Sequence, residues 1–247
     1  MTDYFDLTGK IALVTGGSRG LGLDIAKGLA ACGAEVIVVS RKLEACEAAV
    51  AEIEAAGGKA IAAACHVGNW AEIGALVEMV KDRFGRLDIL VNNAGLGPGT
   101  PVSTDVTEEL FDKVLAVNLK GPFRLAALMG EMMREKGGGS IVNITSTAAV
   151  KPKAETSIYA AAKAGLNAMT KSHAFEFGPT VRVNAIMCGP FWTDISKSWR
   201  EEADRTSQAA AKRIGRPHEI VTTALYLASP HSSFTTGSII QLDGGLP

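Results

Sequence analysis

Ile11-Ala12-Leu13-Val14-Thr15-Gly16-Gly17-Ser18-Arg19-Gly20-Leu21-Gly22 decides how the rest of the chain is read. Ile11–Thr15 is a compact apolar run bounded by Gly9 and Gly16, which predicts a buried strand. Leu21, Ile25 and Leu29 then recur every four residues and fall on one helix face, with Gly33 as the stop. A strand passing through a glycine-rich turn into a helix is half of a βαβ unit. Gly16, Gly20 and Gly22 are the glycines that matter here.

The same alternation runs outward along the chain. Strands are predicted at Glu35–Val39, Ala60–Ala64, Leu87–Val91, Ser140–Thr145, Val181–Ile186 and Ser238–Leu242. Helices are predicted at Leu43–Ala56, at Trp70–Phe84 with Asn69 as cap, and at Tyr159–Phe177. Two more are predicted near Thr107–Val117 and Asn118–Arg134, and one at Pro217–Ala228 with proline in its first turn. Strands separated by helices of this length need right-handed crossovers and a parallel sheet. The expected fold is α/β: a single-domain, Rossmann-type, doubly wound parallel sheet of about seven strands with helices on both faces, over 1–247. Ligands in such sheets bind outside the carboxyl ends of the strands.

Composition excludes several classes of function. Lys plus Arg is 25 and Asp plus Glu is 26, for a net charge of -1. That balance gives no footprint for nucleic acid and no polybasic membrane patch. No apolar run approaches the ~18 residues of a membrane span. The acidic start, Met1 to Leu7, does not look like a targeting leader. Cys32, Cys46, Cys65 and Cys188 form no CxxC pair and read as buried reduced thiols, which predicts a cytoplasmic protein. His66, His173, His218 and His231 are scattered, so no metal site is expected.

A glycine turn after the first strand lets backbone approach a pyrophosphate at a helix N-terminus. Packing alone could also demand glycine there. Its place at the head of a chain-long βα alternation favours a dinucleotide, contacted by Gly16, Ser18, Arg19, Gly20, Leu21 and Gly22. A carboxylate at the end of the second strand would hold a ribose 2′-hydroxyl. The chain has Ser40 and Arg41 there instead. With Arg19 in the turn, this favours NADP(H), with NAD(H) as the second candidate.

Tyr159 and Lys163 lie one helical turn apart on one face, so an ammonium can sit beside a phenol. A free phenol has a pKa of ~10. An adjacent cation favours the phenolate and is expected to lower that value. Ser146 follows the fifth strand at the same sheet edge, and Asn118 sits near a helix junction.

In these features the sequence resembles the short-chain dehydrogenase/reductase family, in its single-domain form and in the style of 3-oxoacyl reductases. The resemblance covers essentially the whole chain. It rests on Thr15–Gly22, Asn92-Asn93-Ala94-Gly95, Asn118, Ser146, Tyr159 with Lys163, Arg182-Val183-Asn184-Ala185, Thr193, and the ending Thr236-Gly237 through Asp243-Gly244-Gly245. It implies Tyr159 as the acid or base and Lys163 on the nicotinamide ribose. It implies Ser146 on the substrate carbonyl and Asn118 on a water linking Lys163 to solvent. Asn93, Ala94 and Gly95 would line the adenosine ribose, and Gly189 and Thr193 the nicotinamide end.

Three positions depart from the family's pattern. His66 replaces the usual Asp after the third strand, leaving the adenine contact to His66 or to the Val67 backbone. Cys188-Gly189-Pro190 replaces the usual Pro-Gly. The tail Gly245-Leu246-Pro247 is short and altered.

On the substrate side, Phe191, Trp192 and Trp199 fall in a lid expected at about 189–212. Thr147 begins a second wall that runs to Thr156. Lys151 and Lys153 in that wall could meet an anionic substrate or form a solvated pair. The function so implied is NADP(H)-dependent interconversion of a carbonyl and a secondary alcohol, on a 3-oxoacyl thioester or another apolar ketone. A catalytically silent NADP-binding sensor or scaffold is the alternative from another class, and an epimerase or dehydratase the third. A homotetramer is expected by resemblance.

Overall fold

The computed structural model describes residues 4–193 and 207–247. Seven strands form one parallel sheet: β1 (Ile11–Thr15), β2 (Glu35–Ser40), β3 (Lys59–Ala64), β4 (Ile89–Asn92), β5 (Gly139–Ser146), β6 (Val181–Cys188) and β7 (Ile239–Leu242). Their order is β3-β2-β1-β4-β5-β6-β7, so the direction of winding switches between β1 and β4. The sheet is buried on both faces across β2, β1, β4, β5 and β6, its edge strands β3 and β7 being more open, and alternate residues feed two separate cores. Val14, Val36 and Val38 pack with α1 (Gly20–Ala31) and α2 (Leu43–Ala55). Leu13, Ile37 and Val39 pack on the opposite side with α3 (Trp70–Phe84). The continuous apolar strands of the sequence follow from this two-sided burial.

On the α3 side, α5 (Gly121–Glu135) contributes Leu125, Met129 and Met133, and α6 (Ser157–Phe177) contributes Ala174 and Phe177. Met132 is buried with them, so the three methionines of α5 are core. On the α1 side, α7 (Val221–Ala228) adds Ala224 and Leu227. Asn69 caps α3 as expected, its Oδ1 accepting from the Ala71 and Glu72 amides at 3.0 and 3.3 Å. The helix ends on Gly85 at φ 65°, a left-handed conformation that glycine adopts at little cost.

Two boundaries differ in kind from the sequence expectation. The expected helices before β5 form one helical run: α4 (Glu108–Leu115) passes through a π-turn, Ala116–Lys120, directly into α5. Apolar periodicity carries no signal for a wider turn inside a continuous helix. The predicted helix at Pro217 begins instead as a 3-10 turn, Pro217–Ile220, before α7. Of the four cysteines, all free, Cys32 is only partly buried.

Candidate active site

The carboxyl ends of β1 and β4 meet at the switch point, and Asn93 fastens them together. Its Nδ2 donates to the Thr15 and Gly16 carbonyls at 2.9 and 3.2 Å. The Asn93 and Ala94 amides donate to Thr15 Oγ1 at 3.0 and 3.1 Å. Thr15 closes the latch through its own hydroxyl, which donates to the Val91 carbonyl at 3.3 Å. Gly16 and Gly22 are glycines because of this latch. A Cβ on Gly22 would lie 2.3 Å from the Gly16 oxygen and 2.4 Å from Asn93 Nδ2.

Gly20 differs: at φ 55°, a Cβ built on it would meet, among the described residues, only Thr193, at 3.6 Å. Thr193 therefore stands over the glycine turn, and Ser18, Arg19 and Leu21 line the turn around it. The first turn of α1 carries no carboxylate, and Arg19 does not cap it with its side chain. A glycine-lined helix N-terminus with no carboxylate in its first turn fits a pyrophosphate.

Beyond the turn, Arg41 is exposed just past β2. Ser40 Oγ lies 3.3 Å from the Lys42 carbonyl, to which it donates, and 3.1 Å from Cys46 Sγ. His66 folds back on its own loop: its Nδ1 accepts from the Gly68 amide at 3.1 Å. That bond places the ring proton of neutral His66 on Nε2. The His66 amide donates to Glu72 at 2.7 Å, and Val67 is buried.

Around the switch point the chemistry-bearing side chains converge. Lys163 is buried and donates from Nζ to the Ile144 carbonyl at 2.9 Å. Nζ lies 5.8 Å from the centre of the Tyr159 ring. Asn118 is held inside the π-turn by the backbone of the loop after β4. Its Oδ1 accepts from the Leu96 amide at 3.1 Å, and its Nδ2 donates to the Leu96 and Val114 carbonyls at 2.7 and 2.9 Å. A Cβ on Gly95 would stand 3.3 Å from Asn118 Oδ1 and 3.7 Å from Lys163 Nζ, and one on Gly97 would stand 3.5 Å from the Tyr159 ring. Glycine there keeps the approach to the lysine and phenol open. Ser146 ends β5, where its Oγ accepts from the Ala148 amide at 3.2 Å, and its hydroxyl faces Tyr159. Cys188 lies beside Ser146 in register on β6.

The electrostatics correct one expectation. Burial pushes the Tyr159 phenol up, and hydrogen bonding with Ser146 only partly offsets it. The helical spacing alone predicts that Lys163 pulls the phenol down. Its own ammonium is disfavoured by burial, which brings it to about 8, so it is a weaker source of charge than a solvated lysine. Burial likewise pushes the Cys188 thiol up to about 12, partly offset by Lys163, which leaves it a poor nucleophile.

The walls also differ from expectation. Phe191 is buried in the α1-side core, with Gly215 against its ring, and so supports the wall from behind. The Trp192 amide donates to the Gly215 carbonyl at 2.9 Å, and the Arg216 guanidinium lies 5.8 Å from the Trp192 ring. Glu219 holds that loop by accepting from the Arg216 amide at 2.6 Å, and pairing with Arg213 brings its carboxyl down to about 2. Thr147 opens the turn after β5, half-buried. Lys151 is exposed and donates to the Leu246 carbonyl at 3.1 Å and to that of Pro247. Gly189 donates to the Leu242 carbonyl at 2.9 Å, and a Cβ on it would strike Asp243 at 2.5 Å. Trp199 and most of the expected lid lie outside the described residues.

A family model described as enoyl-(acyl carrier protein) reductase matches residues 16–247. The 7alpha-hydroxysteroid dehydrogenase of Escherichia coli (strain K12) is 34% identical over 99% of this chain and 96% of its own. The chain belongs to the short-chain dehydrogenase/reductase family. Its members among the relatives are oxidoreductases. Among solved structures, a 7 alpha-hydroxysteroid dehydrogenase complexed with NADH and 7-oxo glycochenodeoxycholic acid superposes with a TM-score of 0.94. It is 34% identical, over 99% of this chain and 97% of that one. A 3-oxoacyl (acyl-carrier-protein) reductase from Agrobacterium tumefaciens C58 with NADP bound gives a TM-score of 0.92 at 35% identity, over 98% and 96%. The doubly wound sheet expected from the sequence is thus the fold of this dehydrogenase/reductase family.

Sequence alone does not single out three features that the structure places at the site. Thr15 stands in it only as part of the glycine motif. The π-turn that seats Asn118 leaves no periodic trace. A buried polar chain runs from Asn92 Nδ2 to Asn143 Oδ1 and from Asn143 Nδ2 to Thr170 Oγ1, both at 2.9 Å. Polar residues inside apolar strands are the available signal for it. Asn184, inside the sixth strand, satisfies nearby backbone at Thr235 and Ser238.

Proposed function

We propose that the chain is an NADP(H)-dependent dehydrogenase/reductase that interconverts a carbonyl and a secondary alcohol, with Tyr159 as acid and base. The observation that carries this reading is the convergence of Tyr159, Ser146 and Lys163 beside a glycine-lined helix N-terminus at the switch point. A nicotinamide dinucleotide supplies the hydride when bound. The chain's own residues then position the substrate and handle the proton. Ser146 donates to the substrate oxygen where negative charge develops. Tyr159 delivers the proton in reduction, for which a phenol pushed up by burial is the correct protonation state at neutral pH. Lys163 holds the nicotinamide ribose hydroxyls, and Asn118 orders the path by which the proton is replaced.

Gly16, Ser18, Arg19, Gly20, Leu21 and Gly22 would hold the pyrophosphate, and Asn93, Ala94 and Gly95 the adenosine ribose. His66 or the Val67 backbone would meet the adenine, and Gly189 and Thr193 the nicotinamide. The preference for NADP(H) is supported by Ser40 and exposed Arg41 in place of a carboxylate, with NAD(H) as the second candidate. The apolar ring of Trp192 beside the site supports a 3-oxoacyl thioester or another apolar ketone as substrate. Residues 1–247 act as one nucleotide-binding domain with a lid at about 189–212, in the cytoplasm. Exposed Phe111 and Phe123 on α4 and α5 support burial of that face in a homotetramer; light scattering that returns a monomer counts against it.

The test is oxidation of NADPH and of NADH with a panel of 3-oxoacyl thioesters, aliphatic ketones and 7-oxo steroids. Cofactor binding without turnover on any of them would favour the sensor or scaffold reading.

A further inference from the structure

We propose that Thr145 and Asn167 hold one buried water molecule behind Lys163, and that this water, together with the Ile144 carbonyl, positions the ammonium and keeps it charged. The inference rests on the placing of Lys163 in the site described above. Thr145 directly follows Ile144, whose carbonyl accepts from Lys163 Nζ at 2.9 Å. It pairs in register with Met187 on β6. Asn167 lies one turn beyond Lys163 on the same buried face of α6, and its Nδ2 approaches Met187 Sδ at 4.0 Å. Thr145, Met187 and Asn167 therefore meet between α6 and the β5–β6 pair, next to the lysine.

Thr145 and Asn167 are 2% and 8% exposed, yet Thr145 Oγ1 and Asn167 Oδ1 find no partner among the described residues. Protein interiors rarely leave a hydroxyl and an amide oxygen orphaned, and an ordered water is the ordinary remedy where several polar groups converge. A water that donates to Asn167 Oδ1 can accept from the Thr145 hydroxyl and from Lys163. The ammonium has three N–H groups, of which Ile144 takes one.

Among the described residues, the groups placed near Lys163 are Tyr159 on its own helix, Cys188 on β6, and Asn118 and Gly95 opposite, and none of these is a carboxylate. Burial already brings Lys163 down to about 8. An acceptor in this position opposes that loss of charge, so removing it lowers the titration midpoint further.

The test is a high-resolution crystal structure of the full chain, with the Lys163 midpoint measured by pH-dependent competitive acetylation and mass spectrometry. The wild type is expected to show a water within hydrogen-bonding distance of both oxygens. Asn167→Leu and Thr145→Val are expected to lose it and to lower the midpoint by about half a pH unit or more. Thr145→Ser, which keeps the hydroxyl, is expected to retain both. Circular dichroism checks that each variant folds, and Thr145→Val alone suffices if Asn167→Leu does not. A wild-type structure without that water overturns the proposal, as does loss of the water with an unmoved midpoint. Neither measurement needs substrate or cofactor. A protein that shows the water and the shift but no turnover sinks the proposed function and leaves this inference standing.

Discussion

Lys163 Nζ donates to the Ile144 carbonyl at 2.9 Å from a buried position, and among the described residues the ionisable neighbour acting on its charge is the Cys188 thiol rather than a carboxylate. A buried ammonium without a counter-ion is costly to the fold. Its pKa falls from 10.5 to about 8 on burial. The charged form is disfavoured in the native state, so the penalty is full below pH 8 and is relieved as pH rises from there toward 10.5. Lys163→Met removes the penalty. It is expected to raise the unfolding free energy at pH 7 by ~1–3 kcal/mol, with little gain above pH 10. Denaturant titrations at the two pH values check the sign, and the same variant is expected to lose turnover.

Tyr159→Phe separates chemistry from binding. It removes the phenol oxygen that faces Ser146 and leaves the glycine turn untouched. Turnover is expected to fall by about 10²-fold or more. Cofactor affinity should stay within about twofold, since that change is under ~0.5 kcal/mol. Steady-state rates alongside fluorescence titration of NADPH check both halves. Surviving turnover would remove Tyr159 from the proton step.

Arg41 and Ser40 set the cofactor prediction. Arg41→Ala is expected to weaken NADPH by about tenfold and leave NADH unchanged, as fits loss of one charge-assisted contact to a 2′-phosphate. Ser40→Asp is expected to reverse the preference, because a carboxylate repels the phosphate and accepts from a 2′-hydroxyl. Parallel titrations with the two cofactors decide it. Equal weakening of both would place the 2′ position elsewhere.

Much of the fold and site is legible in the order of the amino acids, for physical reasons. Strands buried on both faces read as continuous apolar runs, so the limits of β1 and β2 can be read to within a residue. Asn69 and Gly85 frame α3 by capping chemistry that is local in sequence. The convergence of Asn118, Ser146, Tyr159 and Lys163 follows from their places at the carboxyl ends of successive elements. What is not legible depends on contacts between distant segments. The direction of the Tyr159 perturbation depends on how completely the helix is covered. The engagement of Lys151 with Leu246 and Pro247 spans nearly 100 residues. The inward turn of Phe191 depends on Gly215, and the π-turn has no periodic signature.

Asn143 joins three elements through side chains alone. Its Oδ1 accepts from Asn92 on β4, and its Nδ2 donates to Thr170 on α6, whose hydroxyl in turn donates to the Leu166 carbonyl at 2.8 Å. Truncation leaves donors and acceptors buried without partners. Asn143→Ala is expected to cost ~2–4 kcal/mol, from two lost hydrogen bonds and the orphaned groups. A urea midpoint that falls with unchanged slope would match this; a change below ~0.5 kcal/mol would mean that water replaces the network.

Gly22 and Gly20 make a paired test of what the glycine turn is for. A Cβ at Gly22 would meet the Gly16 oxygen at 2.3 Å and Asn93 Nδ2 at 2.4 Å, and the first of these is backbone that cannot swing aside. Gly22→Ala must therefore open the latch between β1 and β4. It is expected to destabilise the fold by ~2 kcal/mol or more and to lose cofactor binding with it. Among the described residues a Cβ at Gly20 meets only Thr193, at an ordinary 3.6 Å, so the described fold has room for it. Its φ of 55° costs an alanine about 1 kcal/mol. The added methyl would also crowd a pyrophosphate between the turn and Thr193. Gly20→Ala is thus expected to keep most of the stability and lose at least tenfold in cofactor affinity. Thermal unfolding with and without NADPH distinguishes the two variants. Equal behaviour in both would mean that the turn needs its glycines for packing alone.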